Sequence, residues 1–142
     1  MKKILFLAIF ACLPAFISPL GVQAQNRSRQ HGNVEVQGAE ILFRNMTCDL
    51  GEVSRKSKDL VHEFRFVNDG TTPLVILSAT TSCSCIKTDY SRKPIAPGDE
   101  GTIKMTLESR KMEPGVFHRV IQVRSNAVSG VKLLTVQGNS VE

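Results

Sequence analysis

The chain of 142 residues has no tryptophan and a single tyrosine. Few aromatic platforms are left on which nucleic-acid bases could stack. Charge of one sign is also scarce. The 18 basic and 13 acidic residues give +5, and Lys or Arg residues alternate with acids along most of the predicted strands, so no basic patch points to nucleic acid. Apolar residues at helical period are missing over any stretch of ordinary helix length. The three histidines lie far apart in sequence, and no Ser or Cys stands in a nucleophile turn or protease signature, so hydrolase chemistry lacks its marks. Asp99 and Glu100 are adjacent carboxylates, but they follow Pro97-Gly98 in a predicted turn, where acids are commonly solvated. Gly98 and Gly101 have no strand-to-helix context and make no phosphate loop; their expected role is to let that turn form. No catalytic residues and no cofactor are expected.

What is present begins with a leader. Lys2 and Lys3 precede an apolar run from Ile4 to Phe10 and beyond, followed by Pro14 and Pro19, and Val22-Gln23-Ala24 supplies small residues at the cleavage positions. This predicts a signal peptide over residues 1–24, cut after Ala24. A membrane anchor from Ile4 to Val22 would be barely long enough, and its two prolines and Gly21 weaken it. Lipid attachment at Cys12 is disfavoured by the apolar residues that follow. The remaining part, about 118 residues, is the size of one domain. Without Lys2 and Lys3 it carries 16 basic and 13 acidic residues, a net charge of +3.

Residues 25–38 are polar and small, with Arg27, Arg29 and His31 but little to bury, and are expected to form a flexible arm. From Ile41 the period is two. The predicted strands are Ile41–Met46 with a continuation near Leu50–Val53, Leu60–Val67, Leu74–Thr81, Ile86–Asp89, Gly101–Leu107, Val116–Arg124 and Val131–Gly138, separated by Gly, Pro, Asn and Asp turn signals. Seven short strands over residues 39–142 predict an all-β, immunoglobulin-like two-sheet sandwich. With no Trp available, the core must be aliphatic and Phe-based: Phe64, Phe66, Leu74, Ile76, Ile103, Met105, Leu107, Phe117, Ile121, Val123, Leu134 and Val136.

Phe64-x-Phe66-x-Asn68-x-Gly70, Pro73-Leu74-x-Ile76, Ser82-Cys83-x-Cys85, Ile95-x-Pro97-Gly98, Gly115-x-Phe117 and Val123-x-Ser125-Asn126 occur in a familiar order. From Asp49 to Gly138 the chain resembles domain of unknown function 1573, a family of exported bacterial proteins. Asp49-Leu50-Gly51-Glu52-Val53 is similar to the family's Asp-Phe-Gly-x-Ile segment with Leu for Phe. Ser84 stands where the family usually has Gly, and Cys48 is outside its pattern. The resemblance implies an immunoglobulin-like sandwich and no known activity.

Loss of Cys12 with the leader would leave Cys48, Cys83 and Cys85, an odd number in an oxidising compartment. If successive strands alternate in direction, these three gather at one pole with His62, Met112 and His118. Four states compete there: Cys48 bonded to Cys83 or Cys85, Cys83 bonded to Cys85, a soft-metal site, or inert thiols. The metal shell would draw on Cys83, Cys85, Cys48, His118, His62 or Met112. Parity with Phe64 and Phe66 makes His62 an inward histidine, whereas His118 opposes Phe117 and should be exposed. The expectation carried forward is one disulfide joining Cys48 to Cys83 or Cys85, with one free thiol. The functional expectation is a non-enzymatic binding or structural module of the periplasm or cell envelope, with a protein or glycan partner and no integral membrane segment after cleavage. The alternative is a metal-binding or redox module built on Cys83 and Cys85.

Overall fold

The computed structural model describes residues 37–142, so the predicted leader, Cys12 and all but the last two residues of the predicted arm lie outside the described residues. Alternating apolar and polar positions produce strands, because successive side chains of an extended chain leave on opposite faces and only one face can be dry. There are eight among the described residues: β1 (Ile41–Phe43), β2 (Thr47–Ser54), β3 (Leu60–Asn68), β4 (Ile76–Thr81), β5 (Ile86–Tyr90), β6 (Glu100–Leu107), β7 (Gly115–Ser125) and β8 (Lys132–Val141). A single 3-10 turn, Ser109–Lys111, interrupts the β6–β7 connection and was not foreshadowed by the hydrophobic pattern.

The strands form a two-sheet sandwich of immunoglobulin-like type. One sheet has the order β1-β3-β6-β5 and is antiparallel throughout; the other has the order β2-β8-β7-β4, with β2 parallel to β8. All twelve predicted core residues are buried between them, with Phe64 and Phe66 entering from β3 and Phe117, Ile121 and Val123 from β7. Gly101 has a different task from the one expected of it. It sits in β6 opposite Phe66, and a β-carbon there would overlap the Phe66 ring.

The predicted first strand is in fact two. After Phe43 the chain leaves one sheet and enters the other, where the Asn45 side chain accepts the Thr47 N–H at 2.9 Å and the Thr135 N–H bonds the Met46 carbonyl at 2.8 Å. Cys48 and Val53 are both buried although five residues apart, which a regular strand would forbid. The register against β8 shifts between Asp49 and Glu52, and this one-residue bulge returns Val53 to the core face. Gly51 adopts φ +61° in the bulge, and the Asp49 carboxylate accepts the Gly51 N–H at 2.9 Å and a Gln137 amide hydrogen at 3.0 Å. These bonds, Gln137 first, hold the Asp49 carboxyl below its ordinary pKa.

Two polar features fix the loops. Asn68 is fully buried; its amide donates to the carbonyls of Thr72 and Ile95 at 2.8 and 2.9 Å, and its side-chain oxygen accepts the N–H of Gly70 at 3.1 Å and of Glu40 at 3.4 Å. On the flank where β4 and β5 are the facing edges, the Thr88 hydroxyl bonds the Ala79 carbonyl at 2.6 Å and the Tyr90 hydroxyl the Leu77 carbonyl at 3.4 Å. Side chains thereby cover carbonyls that an edge strand would otherwise leave open.

Candidate functional site

The β4–β5 connection carries the thiols. Cys83 and Cys85 are disulfide-bonded, with α-carbons 5.2 Å apart. An extended Cys-x-Cys segment would hold them farther apart, so the chain must turn, and it does: the Ile86 N–H bonds the Cys83 carbonyl at 3.2 Å and the Cys83 N–H the Thr81 hydroxyl at 3.3 Å. Cys83 is half-buried, Ser84 is exposed and Cys85 is 1% exposed. The Cys85 N–H points at the Cys83 sulfur at 3.3 Å.

The expected bond from Cys48 to Cys83 or Cys85 is corrected by the sheet order. Cys48 is a free, buried thiol on β2, level with Val136 on β8, which is level with Arg119 on β7; continued past Thr81, the β4–β7 register brings Cys83 level with Arg119. The two thiols therefore share a level but stand three strand spacings apart, roughly 14 Å, about twice the reach of a disulfide. Burial, then the neighbouring Asp49 carboxylate, raises the pKa of Cys48 and keeps it a thiol.

The residues of the alternative metal shell are not gathered in this structure. His118 projects from the outer, exposed face of β7, Cys48 lies inside the sandwich, and Cys83 and Cys85 bond each other. Among the described residues no three His, Cys, Asp or Glu side chains converge on a point. His62 is half-buried on β3, with its ring edge-on to Phe64 at 4.7 Å. Met112, 2% exposed, is the one non-thiol member of the predicted cluster that reaches Cys83 and Cys85.

Those residues line a shallow cavity of about 350 Å³, walled by Ser82 to Cys85, Lys111, Met112, Glu113 and Arg119. Arg119 is the member the sequence reading missed. It shares core-facing parity with Phe117 and Ile121, a position the period of two exposes once a charged residue is noticed there, and its Nε is buried without a hydrogen-bond acceptor among the described residues. Lys111, by contrast, is committed to Glu108 at 2.6 Å, which also takes Lys87 at 2.7 Å. These bonds, Lys111 first, hold the Glu108 carboxyl below its ordinary pKa.

The outer faces of the two sheets differ. On the β1-β3-β6-β5 sheet, Glu63, Lys104 and Asp89 lie across from one another, flanked by Arg65, Lys87 and the Arg44–Glu100 ion pair. On the other sheet the β7–β8 pair presents Val116, Val120, Gln122, Leu133, Thr135, Gln137 and Asn139, with His118 and Arg124 the charged or titratable exceptions. Val116 is 88% exposed and Leu133 52%. Between Asp49, Val116 and Asn139 this face holds a shallow depression of about 430 Å³. No helix among the described residues is long and apolar enough to cross a membrane.

No curated protein matches the chain. Among solved structures, a protein of unknown function from Porphyromonas gingivalis W83 is similar over 74% of this chain, with TM-score 0.65 and 16% identity. The chain spans about half of that protein, 48% of its length. PapD-like domain 7 of human CEP192 is similar at TM-score 0.55 and 12% identity, over 74% of this chain and 87% of that domain, and the YadV chaperone at 0.54 and 12%, over 72% and 53%. At such identities the likeness is one of fold. The sequence itself matches a family over residues 41–140, and the chain belongs to that family, the one described as protein of unknown function (DUF1573).

Proposed function

We propose that this chain is an exported, non-enzymatic module that docks a folded protein of the cell envelope on the outer face of its β7–β8 pair. The observation that carries this reading is the contrast between the two outer faces. Glu63, Arg65, Lys87, Asp89, Lys104 and Glu100 break up the exposed Leu42 and Val61 of one face with charge of both signs, while Val116, Val120, Leu133 and uncharged polar side chains make up most of the other. Depletion of charge with retained apolar area is the composition of the central part of a protein interface. A protein fits better than a glycan, because the only Tyr, Tyr90, is engaged at the β4–β5 seam and this face carries no Phe, Tyr or Trp ring to stack on a sugar, its one ring being the His118 imidazole. Export rests on the leader expected over residues 1–24, and the chaperone-like fold is compatible with protein binding.

The test compares envelope proteins retained by the immobilised chain, by the V116E/L133E double variant and by K104E. A single species held at fixed stoichiometry by the wild type and K104E, and released by V116E/L133E, is expected. Equal retention by all three, or binding to purified peptidoglycan instead, would overturn the reading.

A further inference from the structure

We propose that the Cys83–Cys85 disulfide is an exchange site that takes two electrons from the dithiol of a partner protein, entered at Cys83 and assisted by Arg119. The bond closes a loop with only Ser84 between its cysteines, so it constrains the unfolded chain little, and stabilisation is a weak reason for it. Its sulfurs are unequal. Cys83 is half-buried at the cavity wall and Cys85 is 1% exposed, so an incoming thiolate reaches Cys83 and displaces Cys85. The Cys85 N–H, 3.3 Å from the Cys83 sulfur, is placed to stabilise negative charge there after reduction.

Arg119 lines the same cavity on core-facing parity, and its Nε has no acceptor among the described residues. A buried guanidinium edge without a partner is costly in a resting sandwich and useful beside sulfurs that become anionic. Lys111 is held by Glu108, whereas Arg119 has no carboxylate partner among the described residues: its Nη1 donates only a long bond, 3.5 Å, to the His118 carbonyl and its Nε donates none. Cys48, three strands away, cannot divert the couple.

The step balances without a further reactant. A partner thiolate attacks the Cys83 sulfur, the disulfide breaks, and Cys85 leaves with the electron pair as a thiolate. The partner's second thiolate then attacks its own sulfur in the mixed disulfide and releases Cys83. The partner dithiol ends as a disulfide, Cys83 and Cys85 end reduced, and the two thiol protons of the partner pass to them.

The experiment equilibrates the purified chain in glutathione redox buffers, quenches by alkylation and reads each cysteine by mass while circular dichroism reports folding. Cys83 and Cys85 should reduce together in the folded state with Cys48 unmodified until denaturation. In C85S, the Cys83 thiolate should attack oxidised glutathione and form a mixed disulfide with release of one reduced glutathione, several-fold more slowly when R119Q is added and at the original rate with R119K. Reduction that occurs only with unfolding, or a Cys83 rate indifferent to R119Q, overturns the proposal. If C85S does not fold, the wild-type titration and its R119Q counterpart still decide it. K104E should leave exchange unchanged, and because glutathione needs no docking face, failure here is distinguishable from failure of the docking proposal.

Discussion

Replacing Asn68 by Ala tests whether the loop pole opposite the thiols is held by one buried amide. Asn68 is 0% exposed and makes three good hydrogen bonds, to the Thr72 and Ile95 carbonyls and from the Gly70 N–H, with a longer one from the Glu40 N–H. The Ile95 carbonyl keeps a second partner in the Leu74 N–H at 2.9 Å, so the groups deprived of a partner are chiefly the Thr72 carbonyl and the Gly70 N–H. At about 0.5–1.5 kcal/mol for each of three net bonds, and with Thr72 exposed and Gly70 half-buried so that water can replace part of what is lost, N68A should cost about 2–4 kcal/mol. That is a large share of the roughly 5–15 kcal/mol expected of a domain this size. Urea unfolding at neutral pH, with Lys104→Ala as a surface control, measures it.

Asn68→Asp sharpens the test. It keeps the oxygen that accepts from Gly70 but turns a donor toward two carbonyls into an acceptor. A buried carboxylate facing the Thr72 and Ile95 carbonyls would have its folded pKa raised above the unfolded value. The stability retained by its protonated form is then fully present below the unfolded pKa and is lost as pH rises through the folded one, so N68D should recover as pH falls. A midpoint for N68A within about 0.5 kcal/mol of the Lys104→Ala control would show that these bonds contribute no more than water does.

The remaining expectations need less argument. Phe64→Ala should cost about 3–5 kcal/mol and Lys104→Ala under about 0.5, by urea unfolding, since one lies in the core and the other faces water. Gly51→Ala should cost about 1 kcal/mol through its positive φ alone, because its β-carbon would meet nothing. Cys48→Ala should leave the Cys83–Cys85 bond intact in a non-reduced peptide map, and thiol titration of the chain beginning at Gln25 should find one thiol, Cys48, reactive only after denaturation. Glu108, held below its ordinary pKa by Lys111 and Lys87, contributes stability above the unfolded carboxylate pKa and loses it as pH falls through the lower folded value; Glu108→Gln should flatten the acid limb of the stability profile.

Strand positions and the core were legible because burial on one face imposes a period of two that a single sequence displays, from Phe64-x-Phe66 to Ile103-x-Met105-x-Leu107. The sheet change after Phe43 was not, since both halves of the first segment alternate correctly and only the odd spacing of Cys48 and Val53 betrays the bulge. The thiol pairing was misread for a related reason. Alternating strand direction places residues at a pole but says nothing of their order around it, and the order β2-β8-β7-β4 sets Cys48 and the Cys83 end of β4 on opposite flanks of one sheet.

Arg119 lies where these two kinds of information meet. Its parity, readable between Phe117 and Ile121, demands an apolar residue, and only the sheet order explains why an arginine is tolerated. The continued β4–β7 register sets it beside Cys83 at the mouth of the sandwich, where the chain crosses from one sheet to the other and the core is open to solvent. A leucine there would satisfy the pattern and bury more apolar surface. Retaining a guanidinium with an unpartnered Nε next to the strand-crossing disulfide gives up some packing, a local inconsistency of the kind that concentrates at functional sites. Val116, His118 and Val120 leave β7 on the face opposite to Arg119, so the docking surface and the thiol cavity are alternate faces of one strand, and substitutions at Val116 and at Arg119 can separate them.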